Sequence, residues 1–198
     1  MSTPRLRLVA GPNGAGKSTF TENILKKQVN LGVYVNPDEI AKTREGDELS
    51  RAKEVQRLAI QQREQLLLEG QSMTYESVMS HPSHLEFLKR AQIAGYRTYL
   101  YFVGVENPEI NKVRVKNREK LGGHAVPEEK IVPRYKRTLE QLFKACLLVN
   151  RAYVFDNSLD DYHMVAEIHE GELTVHPDNQ ADQLSWHKIY LCNKFEKC

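Results

Sequence analysis

The sequence predicts an α/β fold of three layers, a mainly parallel central sheet covered by helices on both faces. Three observations carry this expectation. Short, almost continuous apolar runs alternate with longer segments of helical spacing, the pattern of parallel strands buried on both sides. The first such run, "RLRLVA" at 5–10, leads through a glycine-rich turn directly into a helical segment. At 198 residues the chain has the length of one domain with a sizeable core.

The elements follow in order. "KSTFTENILKK" reads as the helix behind the glycine-rich turn, and "LGVYVNPD" (31–38) as a second strand that ends in turn chemistry. Between Leu49 and Leu68 the residues Ala52, Val55, Ala59 and Leu66 keep helical spacing, and Gly70 supplies a stop. "SMTYESVM" (72–79) is a third strand, followed by a helix around "HLEFLKRAQIA" that closes at Gly95. "RTYLYFVGV" (97–105) is a fourth strand and "RAYVFDN" (151–157) a fifth. Ile131, Tyr135, Leu139, Leu142, Cys146 and Val149 form a helical stripe that makes Cys146 a core residue, although Pro133 interrupts this helix and predicts a kink. After the last parallel strand, "HMVAEIHEGELTVHP" alternates around Gly171 and predicts a β-hairpin within a C-terminal region of about 161–198. Trp186 and Tyr190, four residues apart, would pack a final helix onto the body.

Composition narrows the function classes. A formal charge of +2 is too mild to imply nucleic acid, which asks for a concentrated basic patch. No apolar run reaches the roughly 18 residues that cross a bilayer, and no signal-peptide core precedes the first strand. Cys146, Cys192 and Cys198 have neither the even count of a disulfide framework nor zinc-ligand spacing, so a reduced, cytoplasmic protein is expected.

"GPNGAGKST" (11–19) carries the chemistry, matching the phosphate-loop pattern G-x-x-x-x-G-K-[ST] between the required strand and helix. Gly11, Gly14 and Gly16, with Pro12, Asn13 and Ala15 between them, let backbone N–H groups converge on phosphate oxygens. Lys17 is expected to bridge the β- and γ-phosphates of ATP, Ser18 to ligate Mg²⁺, and Thr19 to reach the α-phosphate. The signature segments of a transport motor and the guanine motif of a GTPase are both missing. What remains is polar residues at strand ends, where a parallel sheet places its ligands.

Asp38 ends the second strand, either as a proton acceptor beside the γ-phosphate or as the N-cap of a helix beginning at Glu39. The strand pattern places Asp38 directly beside the γ-phosphate, with Glu76 one strand further on. Glu76 follows Met73 and Tyr75 and is either an exposed strand tip or a functional carboxylate, with Ser77 next to it. The basic segment 107–137 contains Arg114, Arg118 and Arg134 around Gly122-Gly123. It is either a solvated face or a hinged lid whose arginines close over the γ-phosphate. Asn157 in "FDNS" is either a turn residue or a contact to the nucleotide.

"GPNGAGKST", "NPDEIA", "YESVMS", "NREKLGGHAVPEEKIVPRYKR" and "VFDNS", in this order, resemble the zeta-toxin-like P-loop kinases over about residues 5–160. The resemblance implies a kinase of the toxin–antitoxin type that transfers the ATP γ-phosphoryl to a nucleotide sugar, UDP-N-acetylglucosamine in its best-known members. It further implies Lys17 and Ser18 on phosphate and Mg²⁺, Asp38 as general base, Glu76 and Ser77 at the substrate, and Arg114 and Arg118 in the lid. Larger members carry a second lid arginine three residues before a proline; here His124 precedes Pro127, and Arg134 or Arg137 takes that place. An antitoxin partner belongs to the same implication. A different class, a P-loop ATPase or nucleotide-dependent binding protein without an organic acceptor, fits the phosphate loop as well.

Overall fold

The structure is a computed structural model; it describes residues 3–42, 48–123, 126–159, 161–176 and 185–195, without the side chains of 38, 42, 48, 49, 51 and 52. Seven strands form one sheet in the order β2-β3-β1-β4-β5-β6-β7. β1 (Arg5–Ala10), β2 (Val33–Val35), β3 (Met73–Ser77), β4 (Arg97–Gly104) and β5 (Arg151–Asp156) are parallel. β6 (His163–His169) and β7 (Glu172–Val175) are the expected hairpin, and β6 pairs antiparallel to β5. The hairpin therefore extends the central sheet. Its turn residues Glu170 (φ 51°) and Gly171 (φ 86°) are both left-handed, as a two-residue hairpin turn of right-handed twist requires.

Alternation along the strands assigns the two faces. Leu6, Leu8, Leu100 and Phe102 are fully buried on one face, which α5 (Ser83–Ile93) and α7 (Glu128–Leu148) cover. On the other face lies the helix behind the phosphate loop. It begins as α1 (Lys17–Phe20), passes through a π-helical stretch at Thr21–Leu25 and ends as α2 (Lys26–Gln28). Phe20 anchors it, with its ring 4.7 Å from Phe155 and 5.4 Å from Tyr162. α4 (Glu48–Leu68) is the long helix between β2 and β3. Its buried Val55, Ala59 and Leu66 are the stripe read from the sequence.

Three expectations change. The second strand is only three residues long, because Gly32 turns left-handed (φ 66°) where a Cβ would meet the Ser72 carbonyl at 2.1 Å, and because Pro37 opens α3 (Pro37–Lys42). The Asn36 carbonyl accepts from Ile40 N (3.1 Å), so Asn36 holds the cap position and Asp38 lies inside the first turn. The sheet order also reverses the expected neighbours of β1. β3 pairs with β1, and β2 is the edge strand beyond it.

The third change concerns 107–137. α6 (Pro108–Lys120), capped by the Asn107 side chain, and the Gly122-Gly123 turn match the basic segment. α7, however, runs unbroken through Pro133 and buries Ile131, Tyr135, Leu139, Leu142 and Cys146. It is a core helix from Ile131 onward, because its apolar stripe has nowhere to go but the sheet. Cys192 is also buried, and Cys198 and His124 lie outside the described residues.

The C-terminal segment packs on the same face. Trp186 lies against Phe102, donates its indole N–H to Asp156 Oδ2, and leaves no room at Gly104, where a Cβ would be 2.3 Å from the ring. Gly104→Ala is expected to destabilise the fold by about 1–3 kcal/mol through overpacking, and thermal melting measures it. Adding Trp186→Leu to Gly104→Ala should cost less than the sum of the two single changes, because the smaller side chain removes the clash.

Candidate active site at the phosphate loop

β1 runs into the loop beside β4, so close that a Cβ on Gly11 (φ 149°) would lie 2.0 Å from the Val103 carbonyl oxygen. Gly14 (φ 73°) and Gly16 (φ 94°) are left-handed. The loop carbonyls are held by side chains from distant parts of the chain. Asn111 Nδ2 donates to Asn13 O (2.5 Å), Asn157 Nδ2 to Ala15 O (2.8 Å) and Tyr162 Oη to Gly16 O (2.7 Å). Lys17 Nζ lies 3.0 Å from both Gly11 O and Pro12 O. A peptide plane whose carbonyl is held also has the direction of its N–H fixed. Successive N–H groups facing one way form an anion-binding nest. Ser18 and Thr19 open the helix behind that nest, at its positive end.

Asn157 is thus not the turn residue that the sequence also suggested. It is a loop anchor, and Asp156 makes the turn by accepting from Ser158 N (2.8 Å). Asn111 and Tyr162 were not legible at all. They lie 98 and 146 residues from the atoms they hold, and neither residue type carries a local signal.

The strand order decides the acidic side of the site. Val9 of β1 is in register with Glu76, which brings Glu76, not Asp38, next to the loop. Glu76 is only 8% exposed, and three hydroxyls donate to its carboxylate: Ser18 (2.7 Å), Thr21 (2.7 Å) and Tyr34 (2.5 Å). Asn36 Nδ2 then donates to Tyr34 Oη (3.0 Å). Burial, followed by the charge of Glu76, pushes the Tyr34 hydroxyl well above its ordinary pKa and keeps it a donor. Ser18 beside a carboxylate is a set of hard oxygen donors of the kind that suits Mg²⁺. Among the described residues no group of three or more His, Cys, Asp or Glu could hold a metal by itself.

A cavity of about 570 Å³ opens at the tip of β3, lined among others by Arg63, Tyr75, Glu76, Ser77, His84 and Arg134. Arg63 lies over the Tyr75 ring at 4.4 Å. Ser77 Oγ is 2.8 Å from His84 Nε2 and accepts from Met79 N (2.9 Å). Burial first, then the positive charges of Arg63 and His81, lower the His84 pKa to about 4, so the ring is neutral near pH 7. α7 holds the wall of the cavity, since Thr138 donates to Val78 O (2.8 Å) and Gln141 to Met79 O (3.1 Å).

The expected lid arginines divide. Arg114 donates to the carbonyls of Asn157 (2.7 Å) and Leu159 (3.1 Å), which ties α6 to the loop after β5. Arg118 is on the exposed face of α6. Arg134 alone of the three lines the cavity. Asp38 is in the first turn of α3, at the end of the neighbouring strand, and its side chain lies outside the described atoms.

Two outcomes follow from this geometry. Asn157→Ala removes the buried donor to Ala15 O, and a loss of about 1–3 kcal/mol is expected together with weaker nucleotide binding; melting and ATP titration read both. His84 binds its proton less readily in the fold than in the unfolded chain. Its contribution is therefore complete above about pH 6.5, the unfolded value, and is lost as pH falls toward about 4. Urea unfolding at pH 7, 5.5 and 4.5 should show a shallower decline in His84→Gln than in the unmodified chain.

Comparisons with known proteins agree with this architecture. A Haemophilus influenzae protein described only as uncharacterized is 28% identical over 131 residues, which cover 63% of this chain and 88% of that one. The crystal structure of AvrRxo1-ORF1:-ORF2 with ATP aligns with a TM-score of 0.68 and 19% identity, over 98% of this chain. This chain spans 63% of the length of that one. A structure from the PezAT chromosomal toxin–antitoxin system of Streptococcus pneumoniae aligns with a TM-score of 0.59 and 16% identity, over 100% of this chain and 87% of that one. At these identities the structural likeness is one of fold, that of P-loop kinase-like proteins. The family model for Zeta toxin matches residues 1–164, and the chain belongs to the zeta toxin family.

Proposed function

We propose that the protein is an ATP- and Mg²⁺-dependent kinase that passes the γ-phosphoryl to a hydroxyl of a small molecule, a nucleotide sugar such as UDP-N-acetylglucosamine, and acts as a toxin. The observation that carries this is the contact between the phosphate loop and a substrate-sized cavity: Glu76 bonds Ser18 and also lines the 570 Å³ space next to Ser77 and Arg134. Further support comes from membership of the zeta toxin family. The toxin–antitoxin setting of the PezAT structure and the ATP of the AvrRxo1-ORF1:-ORF2 structure point the same way, toward an antitoxin partner and ATP as donor.

Each residue has a task. The loop N–H groups of 11–19 and Lys17 hold the phosphates, and Thr19 serves the α-phosphate. Ser18, oriented by Glu76, would hold Mg²⁺. The ion, when bound, supplies charge neutralisation between the phosphate oxygens. Glu76 already accepts hydrogen bonds from three hydroxyls, which makes it an orienting group for Ser18. Asp38, in the first turn of α3 at the end of the edge strand, takes the role that membership of the zeta toxin family suggests for it, the base that accepts the proton of the attacking hydroxyl. Arg134 neutralises charge on the moving phosphoryl group. Arg114 keeps α6 attached to the loop after β5.

Product analysis with γ-labelled ATP and a panel of nucleotide sugars and small metabolites tests the proposal. Label in an organic acceptor is the expected result; label only in inorganic phosphate overturns it. In Asp38→Asn transfer should fall by about 10²- to 10⁴-fold, the usual weight of a general base, while ATP still binds. Near-normal transfer in a folded Asp38→Asn protein would remove Asp38 from the mechanism. Arg134→Ala should lower kcat by roughly 10³-fold with little change in ATP affinity.

A further inference from the structure

We propose that His84 is a positioning residue for the phosphoryl acceptor, acting through the Ser77 hydroxyl that the kinase reading above already places at the substrate; the proposal rests on that reading. A serine hydroxyl has one proton to donate and two lone pairs. At Ser77 one lone pair is taken by Met79 N–H at 2.9 Å, and a second valence is taken by His84 Nε2 at 2.8 Å. One valence remains, on a half-buried residue that lines the cavity. With two partners fixed, that last valence has one direction. It is a lone pair if the His84 proton is on Nδ1 and an O–H if it is on Nε2, so the histidine tautomer sets which group of the acceptor Ser77 pairs with.

Three further features separate this pair from ordinary packing. His84 Nδ1 is buried without a hydrogen-bond partner, a cost that an apolar side chain of similar shape would avoid. The ring is held from outside the pair, stacked on Tyr75 at 6.0 Å and 20°. Met79, which donates to Ser77, is fully buried yet left-handed (φ 55°), a strained conformation for a long side chain that persists only where the surroundings impose it. Strain, an unmatched buried polar atom and a committed hydroxyl thus meet within the wall of one cavity.

The test uses Ser77→Ala, His84→Ala, the double variant and His84→Gln, with γ-labelled ATP and whichever member of the nucleotide-sugar and metabolite panel the unmodified protein labels. KM for that compound should rise about tenfold in each alanine variant, the weight of one hydrogen bond. kcat should change little and ATP affinity not at all. The double variant should be no worse than the weaker single one, because the pair acts as a unit. His84→Gln should recover most of the loss, since an amide can still pair with Ser77. The His84 ring resonances should shift when the labelled compound is added and not with ATP alone. An unchanged KM, fully additive losses or silent His84 resonances each overturn the proposal. If His84→Ala fails to fold, Ser77→Ala and His84→Gln decide alone. If the unmodified protein labels no organic compound, the kinase reading has failed and this proposal falls with it; that result is visible before any variant is made.

Discussion

The buried carboxylate of Glu76 is the interaction on which the site depends. A charge so withdrawn from water is tolerable only when its oxygens are hydrogen-bonded. Here three hydroxyls from two elements supply them: Ser18 and Thr21 from the helix behind the loop, and Tyr34 from the edge strand. The carboxylate is thereby a junction. It fixes how that helix leaves β1, how β2 lies on β3, and where the cavity at the tip of β3 begins. Thr21, fully buried, starts the π-helical stretch, and its hydroxyl is also 3.1 Å from the Lys17 carbonyl.

The loop itself is organised from the other side. Asn111 belongs to α6, Asn157 follows β5, and Tyr162 precedes β6. Each takes a carbonyl of the loop, and together they fix the loop conformation without any ligand, a preorganisation that spares a binding site the cost of ordering. The same contacts explain why α6 is not a free lid in this arrangement. Asn111 is fully buried against the loop, and Arg114 spans to 157–159. Movement of α6 would have to release the loop anchor, so the conformation of the loop and the position of α6 are mechanically linked.

The cavity wall follows the same logic at lower cost. α7 supplies Thr138 and Gln141 to the carbonyls of Val78 and Met79, and its Arg134 reaches the cavity one turn earlier. A core helix thus carries a charge into the site on a rigid support. Its apolar stripe of Ile131, Tyr135, Leu139 and Leu142 packs it onto the sheet and fixes that support in place.

Much of this was legible in the sequence because it is local. The phosphate loop, the α/β alternation, the hairpin around Gly171 and the stripe that buries Cys146 all rest on spacings within a few residues, where backbone conformation and periodicity act directly. The relation of Asp38 to Glu76 was not, since nothing in either strand states which lies next to β1. Pairing partners are chosen by packing of whole strands and helices, and the order β2-β3-β1 exchanged the two carboxylates. The three loop anchors and the Ser77–His84 contact were hidden for a related reason: Asn111, Asn157, Tyr162 and His84 are ordinary residues until folding carries them to their partners. Sequence by itself determined that this chain carries a P-loop between strand and helix and is built as an α/β sheet. Tertiary structure decided which carboxylate meets Ser18, which arginine faces the cavity and what holds the loop open, because those depend on contacts between segments that no local periodicity encodes.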